Sequence, residues 1–277
     1  MKPRRSSALC VVLVLLIAGA TLGASRSRVR ISAMQAHQYS QADIEAEVLF
    51  GRNLAARILG NYPLWDNPKI NRYVNLVGKS LSFQAGRGEL IFTFGVLDSD
   101  RINAFATPGG YIFITRGALA QMVDEAQLAA VLGHEMAHVV ERHMVRELNL
   151  NAQDGSAFSG LSAMIGGATG SLRSSLEVTL DQAAMILFER GYRLEDELAA
   201  DRDGILIAAS AGYAPSALGN YLKHVDRFEV APQNTSEDHP VIEERLSAIQ
   251  NILSTNGLAG LSGARCEERW HETMSNH

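Results

Sequence analysis

The five residues His134-Glu135-Met136-Ala137-His138 set two imidazoles and a carboxylate at the spacing H-E-x-x-H. On a helix of 3.6 residues per turn the two histidines project within about 40° of each other, one turn apart, so both rings can reach a single ion. Glu135 falls on a neighbouring stripe. From there it can act on a water at the metal without being a ligand, which is what a general base requires. The alternative is two surface histidines beside an incidental glutamate. Against it stand the flanking Val131, Leu132, Val139 and Val140, which place the motif in apolar surroundings where imidazoles need partners.

Two histidines leave a catalytic zinc one protein ligand short. The downstream carboxylates are Glu189, Glu195, Asp196, Glu197, Asp201 and Asp203. In helical projection Glu197 and Asp201 share a stripe with Leu194, Gly204 and Ala208, whereas Glu195 with Arg202, and Asp196 with Asp203, lie on more polar stripes. Acidic groups on a small, apolar stripe are costly unless paired. Glu197 is therefore read as the third ligand of one zinc ion per chain, and Asp201, one turn on, as the acceptor that orients a ligating histidine. The competing view is a solvated helix face laced with ion pairs.

The elements that must hold these residues follow from periodicity. Ile44, Val48, Ala55 and Ile58 predict a helix over 41–60 that Pro63 stops, and a second runs from Asn67-Pro68 to about Ser82. Leu90 to Leu97 and Tyr111 to Thr115 read as the two strands, with a Pro108-Gly109-Gly110 turn before the second. Helices are expected over 124–149, 174–189, 192–211, 215–229 and 240–254. Asp124 caps the first of these, with Gln127 completing a capping-box-like pair. The fold class is α+β, mostly helical, with a small β-sheet. Between Asp154 and Arg173 the chain carries no charge and is rich in Gly, Ser and Thr, which reads as a loop or flap rather than a membrane span.

The chain has 277 residues, 47% hydrophobic and 20% charged, which suits a compact domain and excludes disorder for its bulk. Its 25 basic and 30 acidic residues give a net charge of −5 with no basic stripe, so nucleic acid is excluded as a partner. Lys2, Arg4 and Arg5 precede an uncharged run from Ser6 to Ser25 that ends in small residues, with Ala18-Gly19-Ala20 as an A-x-A cleavage pattern. Residues 1–24 are read as a signal peptide for export. The alternative is an uncleaved anchor, since the run approaches spanning length and Arg26, Arg28 and Arg30 follow it. Cys10 lies inside that run, so the exported domain keeps Cys266 alone and has no internal disulfide.

Taken in order, Asn103-Ala104-Phe105, Pro108-Gly109-Gly110-Tyr111, Thr115-Arg116-Gly117, the H-E-x-x-H motif, Glu197-Leu198-Ala199-Ala200-Asp201 and His239-Pro240 with Arg245 resemble the zinc metallopeptidases of the CAAX prenyl-protease and HtpX superfamily, in its exported BepA-like branch. The likeness covers roughly residues 40–256, with 257–277 left as a polar tail. It implies a zincin-like fold in which His134, His138 and Glu197 hold zinc and Glu135 activates water. Ala199 stands where the family usually has a glutamate, at a position that is not a ligand. The resemblance further implies that His239 is a fourth ligand in a latent state and that Arg245 stabilises the oxyanion. From the residues alone, His239 is the cap of a helix begun by Pro240, and Arg245 a solvated residue on it. The strand beginning near Gly110, or the segment just before it, is implied to be an edge that pairs with an extended substrate. The implied activity is cleavage of unfolded or misassembled envelope proteins in the periplasm or cell envelope, with membrane-surface contact. A chaperone-like or assembly-scaffold protein with a mostly latent zinc site is the alternative.

Overall fold

The structure is a computed structural model that describes residues 40–150, 170–226 and 242–275. The amino-terminal apolar run, nearly all of the uncharged segment after Asp154, and His239 lie outside the described residues. The chain order is α1 (Gln41–Asn61), α2 (Pro68–Ser82), β1 (Thr93–Leu97), β2 (Ala104–Thr107), β3 (Tyr111–Thr115), α3 (Arg116–Ala120), α4 (Glu125–Val140), α5 (His143–Glu147), α6 (Gly170–Met185), α7 (Leu194–Ser210), α8 (Ala217–Val225), α9 (Ile242–Thr255) and α10 (Glu267–Met274). Among these residues no helix is long and apolar enough to cross a membrane.

The two anticipated strands form, the first over Thr93–Leu97 rather than from Leu90, and a third joins them. The sheet order is β1-β3-β2, with β1 parallel and β2 antiparallel to β3. The strand that begins after Gly110 is thus central, and the edge is the segment just before the Pro-Gly-Gly turn. At that turn Gly109 has φ +76°, a conformation that glycine adopts without strain, and α1 leaves a Cβ there only 2.6 Å from Val48 Cα. The outer edge of β1 is covered by α2: the Asn71 side chain accepts from Val96 N at 3.1 Å and Asn75 donates to the Phe94 carbonyl at 2.7 Å. Among the described residues no strand covers the outer edge of β2, and the strand itself packs against α4.

Every residue of α4 is buried, so this helix is a central strut rather than an amphipathic surface element. The Asp124 side chain accepts from Gln127 N at 2.8 Å, the cap expected from sequence. Gln127 in turn accepts from Val123 N rather than from the cap residue. The expected helix over 124–149 does not run unbroken. Arg142 takes a left-handed conformation (φ 55°) after α4 ends, and α5 begins at His143. Arg142 is buried and pairs with the fully buried Glu47 of α1 at 3.2 Å.

The segment after Gly257 is polar in composition, yet it is docked. Trp270 of α10 is 2% exposed and donates its indole N–H to the Met122 carbonyl at 3.1 Å. Arg265 binds the cap residue Asp124, and Arg269 binds Glu125, so the carboxy-terminal segment clamps the start of α4.

Candidate active site

His134, Glu135 and His138 project from α4, and Glu197 and Asp201 from α7. The helices meet at two glycines: a Cβ on Gly133 would lie 2.8 Å from the Gly204 carbonyl oxygen, and one on Gly204 2.6 Å from His134 Cα. Only the missing side chains allow this approach. It sets the carboxylates of the first two turns of α7 over the imidazoles.

His134 Nε2 and His138 Nε2 are 3.1 Å apart. The Glu197 carboxylate closes the triangle, with Oε2 3.5 Å from His134 Nε2 and Oε1 3.6 Å from His138 Nε2. A tetrahedral zinc with the usual nitrogen and oxygen bond lengths sets its ligand atoms roughly 3.3 Å apart, so the three residues fit the ion in both chemistry and spacing. They form a candidate metal site on the pattern His-His-Glu.

Behind the triangle, Asp201 Oδ1 lies 2.9 Å from His134 Nδ1, the nitrogen turned away from the site. Asp201 is fully buried and is held by Arg245, which donates from Nε at 2.9 Å and from a terminal nitrogen at 2.6 Å. The third guanidinium nitrogen of Arg245 lies 3.1 Å from Glu197 Oε2. Arg245 is therefore no solvated helix residue. All three of its nitrogens face the two carboxylates.

The electrostatics match a site for positive charge. Burial opposes protonation of His134, but the hydrogen-bonding carboxylates of Asp201 and Glu197 outweigh it and lift its pKa to about 10. Burial would likewise raise Glu197, yet His134, His138 and Arg245 hold it well below the ordinary carboxylate range. Glu135 goes the other way. Burial pushes its carboxyl up to about 7, helped by Glu197 and opposed by His134, Arg245 and a backbone hydrogen bond from Ala106 on β2. One carboxylate is thus held ionised and the other is poised near neutrality.

The remaining acidic candidates lie elsewhere. Glu189 is exposed, the Glu195 side chain is 76% exposed, and Asp203 pairs with Arg202. Asp196 accepts from Arg146 at 2.6 Å. Two neighbours of His138 carried no sequence signal. Tyr192 stacks on its ring at a centroid distance of 4.3 Å and 19° between planes, and His143 Nδ1 lies 2.7 Å from His138 Nδ1.

The family model for peptidase family M48 matches residues 67–253. The chain is 29% identical over 217 residues to the beta-barrel assembly-enhancing protease of Yersinia pestis, which covers 75% of this chain and 44% of that protein. It is 28% identical over 221 residues to the protein of the same name from Shigella flexneri, covering 76% and 45% respectively. It is 28% identical over 158 residues to the metalloprotease LoiP of Escherichia coli, covering 57% and 61%. The chain spans less than half the length of either assembly-enhancing protease.

Proposed function

The chain belongs to peptidase family M48, and from that premise we propose that it is a zinc-dependent endopeptidase acting on unfolded or misassembled envelope proteins. The observation that carries this reading is the position of Glu135, a buried carboxyl next to the His134-His138-Glu197 group but outside it. A metal held for structure alone has no use for such a group, whereas hydrolysis requires one.

Zinc, when bound by His134, His138 and Glu197, supplies the Lewis acidity that activates a water and polarises a scissile carbonyl. Glu135 takes the proton that the water gives up and later passes it to the leaving amine. Asp201 orients His134, and Arg245 fixes Asp201 and Glu197 together. Arg245 is thus a positioning residue first, and its remaining N–H groups are what it has to offer an oxyanion. The outer edge of β2 receives the substrate as an added strand. Because β2 packs against α4, the helix that carries Glu135, a peptide paired there runs beside the base.

The envelope as the place of action is supported by the amino-terminal signal-like run and by relatives named for beta-barrel assembly. Contact with a membrane surface belongs to the same proposal. His239 is proposed as the fourth ligand of a latent state: His239→Ala then raises casein cleavage with zinc retained, whereas a fall in cleavage assigns the histidine to the chemical step.

The test of the function is casein cleavage by the full chain. Cleavage lost on chelation and restored by stoichiometric zinc supports the endopeptidase. Zinc binding without cleavage of casein or of a denatured envelope protein supports the chaperone-like scaffold instead.

A further inference from the structure

His138 Nδ1 and His143 Nδ1 approach to 2.7 Å, and both rings are buried, His143 completely. Sequence spacing alone predicts no such contact. In an unbroken helix a residue five positions on is turned about 140° away. The contact exists because Arg142 adopts its left-handed conformation and folds His143 back against the end of α4. That conformation is costly for a residue other than glycine, and the buried Glu47 ion pair holds Arg142 there.

The short contact holds one proton between two nitrogens, so only two arrangements exist. If His143 donates, His138 carries its own proton on Nε2, the nitrogen that faces His134 and Glu197, and cannot ligate. If His143 accepts, His138 carries its proton on Nδ1 and turns an Nε2 lone pair toward the site. The second arrangement puts the His143 proton on Nε2, 3.4 Å from Asp196 Oδ1. Asp196 is the carboxylate on that side, within ion-pair reach but not hydrogen-bonded to the ring, and is itself anchored by Arg146 at 2.6 Å.

Resting on the reading of His138 as a metal ligand, we propose that His143 is a positioning residue that locks His138 in its ligating tautomer, with Asp196 behind it. The two metal-facing histidines are then backed differently. His134 leans on a carboxylate that Arg245 neutralises, and His138 on a neutral imidazole. This keeps a further buried anion away from the site, beyond Glu197 and Asp201, while still fixing both rings.

The test is zinc affinity, measured by chelator competition on the full-length protein, alongside the nitrogen chemical shifts of His138. His143→Leu removes the acceptor and is expected to weaken zinc binding by about 10- to 100-fold. His143→Asn restores an oxygen at the position of Nδ1 and is expected to bind within a few-fold of wild type, with His138 protonated on Nδ1. His143→Gln reaches only the position of Nε2 and is expected to behave like His143→Leu. If the leucine variant does not fold, the Asn and Gln pair carries the test. Equal affinities in wild type, His143→Leu and His143→Gln would overturn the assignment while leaving the metal site standing. A wild type that holds no zinc in the same titration would overturn the metal reading and this inference with it.

Discussion

Gly204 of α7 packs against His134 of α4 so closely that a Cβ on the glycine would lie 2.6 Å from His134 Cα. The contact is backbone on backbone, so nothing flexible can give way. Gly204→Ala is therefore expected to push α7 away from α4, carrying Glu197 and Asp201 off the imidazoles. The cost expected of such overpacking is about 1–3 kcal/mol. Thermal unfolding with and without zinc checks this. The variant should melt lower and gain less from added zinc than wild type, whereas an unchanged zinc-induced shift would show that the glycine contact does not set the site.

The choice of carboxylate is open to a paired test. Glu197 closes the triangle with both histidines, while the Glu195 side chain is 76% exposed beside Arg193. Glu197→Ala should lower zinc affinity by tenfold or more, in the range of lost ligation, and Glu195→Ala should leave it unchanged. Equal zinc content in the two variants, measured after dialysis, would contradict the assignment.

Acid sensitivity follows from Glu125, the first residue of α4. Burial would raise its carboxyl, but hydrogen bonds from Arg269, Tyr73 and Tyr213 hold it below the ordinary value of 4.5. A carboxyl whose folded pKa lies below its unfolded one stabilises the fold above the ordinary value. That contribution is lost as pH falls through the folded pKa. Wild type should therefore lose stability on acidification below about pH 4.5, and Glu125→Gln should lose less relative to its own stability at neutrality. Denaturant midpoints against pH decide it, and parallel curves for the two proteins would contradict the account.

The helical repeat explains why so much of this site was legible. It turns sequence spacing into direction, so His134, His138, Glu197 and Asp201 could be placed from their positions alone. What escaped is set by tertiary contacts. β2 is a four-residue Ala-Phe-Ala-Thr strand, partly or fully buried at every position, and shows no alternation. His143 reaches His138 only through the left-handed Arg142, which an apolar pattern continuing past it conceals. The docking of α10 depends on Arg265 and Arg269 meeting Asp124 and Glu125 from more than 140 residues away. Local composition presents those residues as an ordinary polar tail.

In the proposed mechanism Glu135 performs proton transfer beside a metal held by other residues. Casein cleavage and bound zinc should be measured together in wild type and Glu135→Gln. The carboxamide keeps the side chain's shape but cannot take a proton from water. Zinc content and melting temperature are expected to match wild type, while cleavage falls by about 10²- to 10⁴-fold. Wild-type cleavage by Glu135→Gln, with zinc in place, would contradict the mechanism outright.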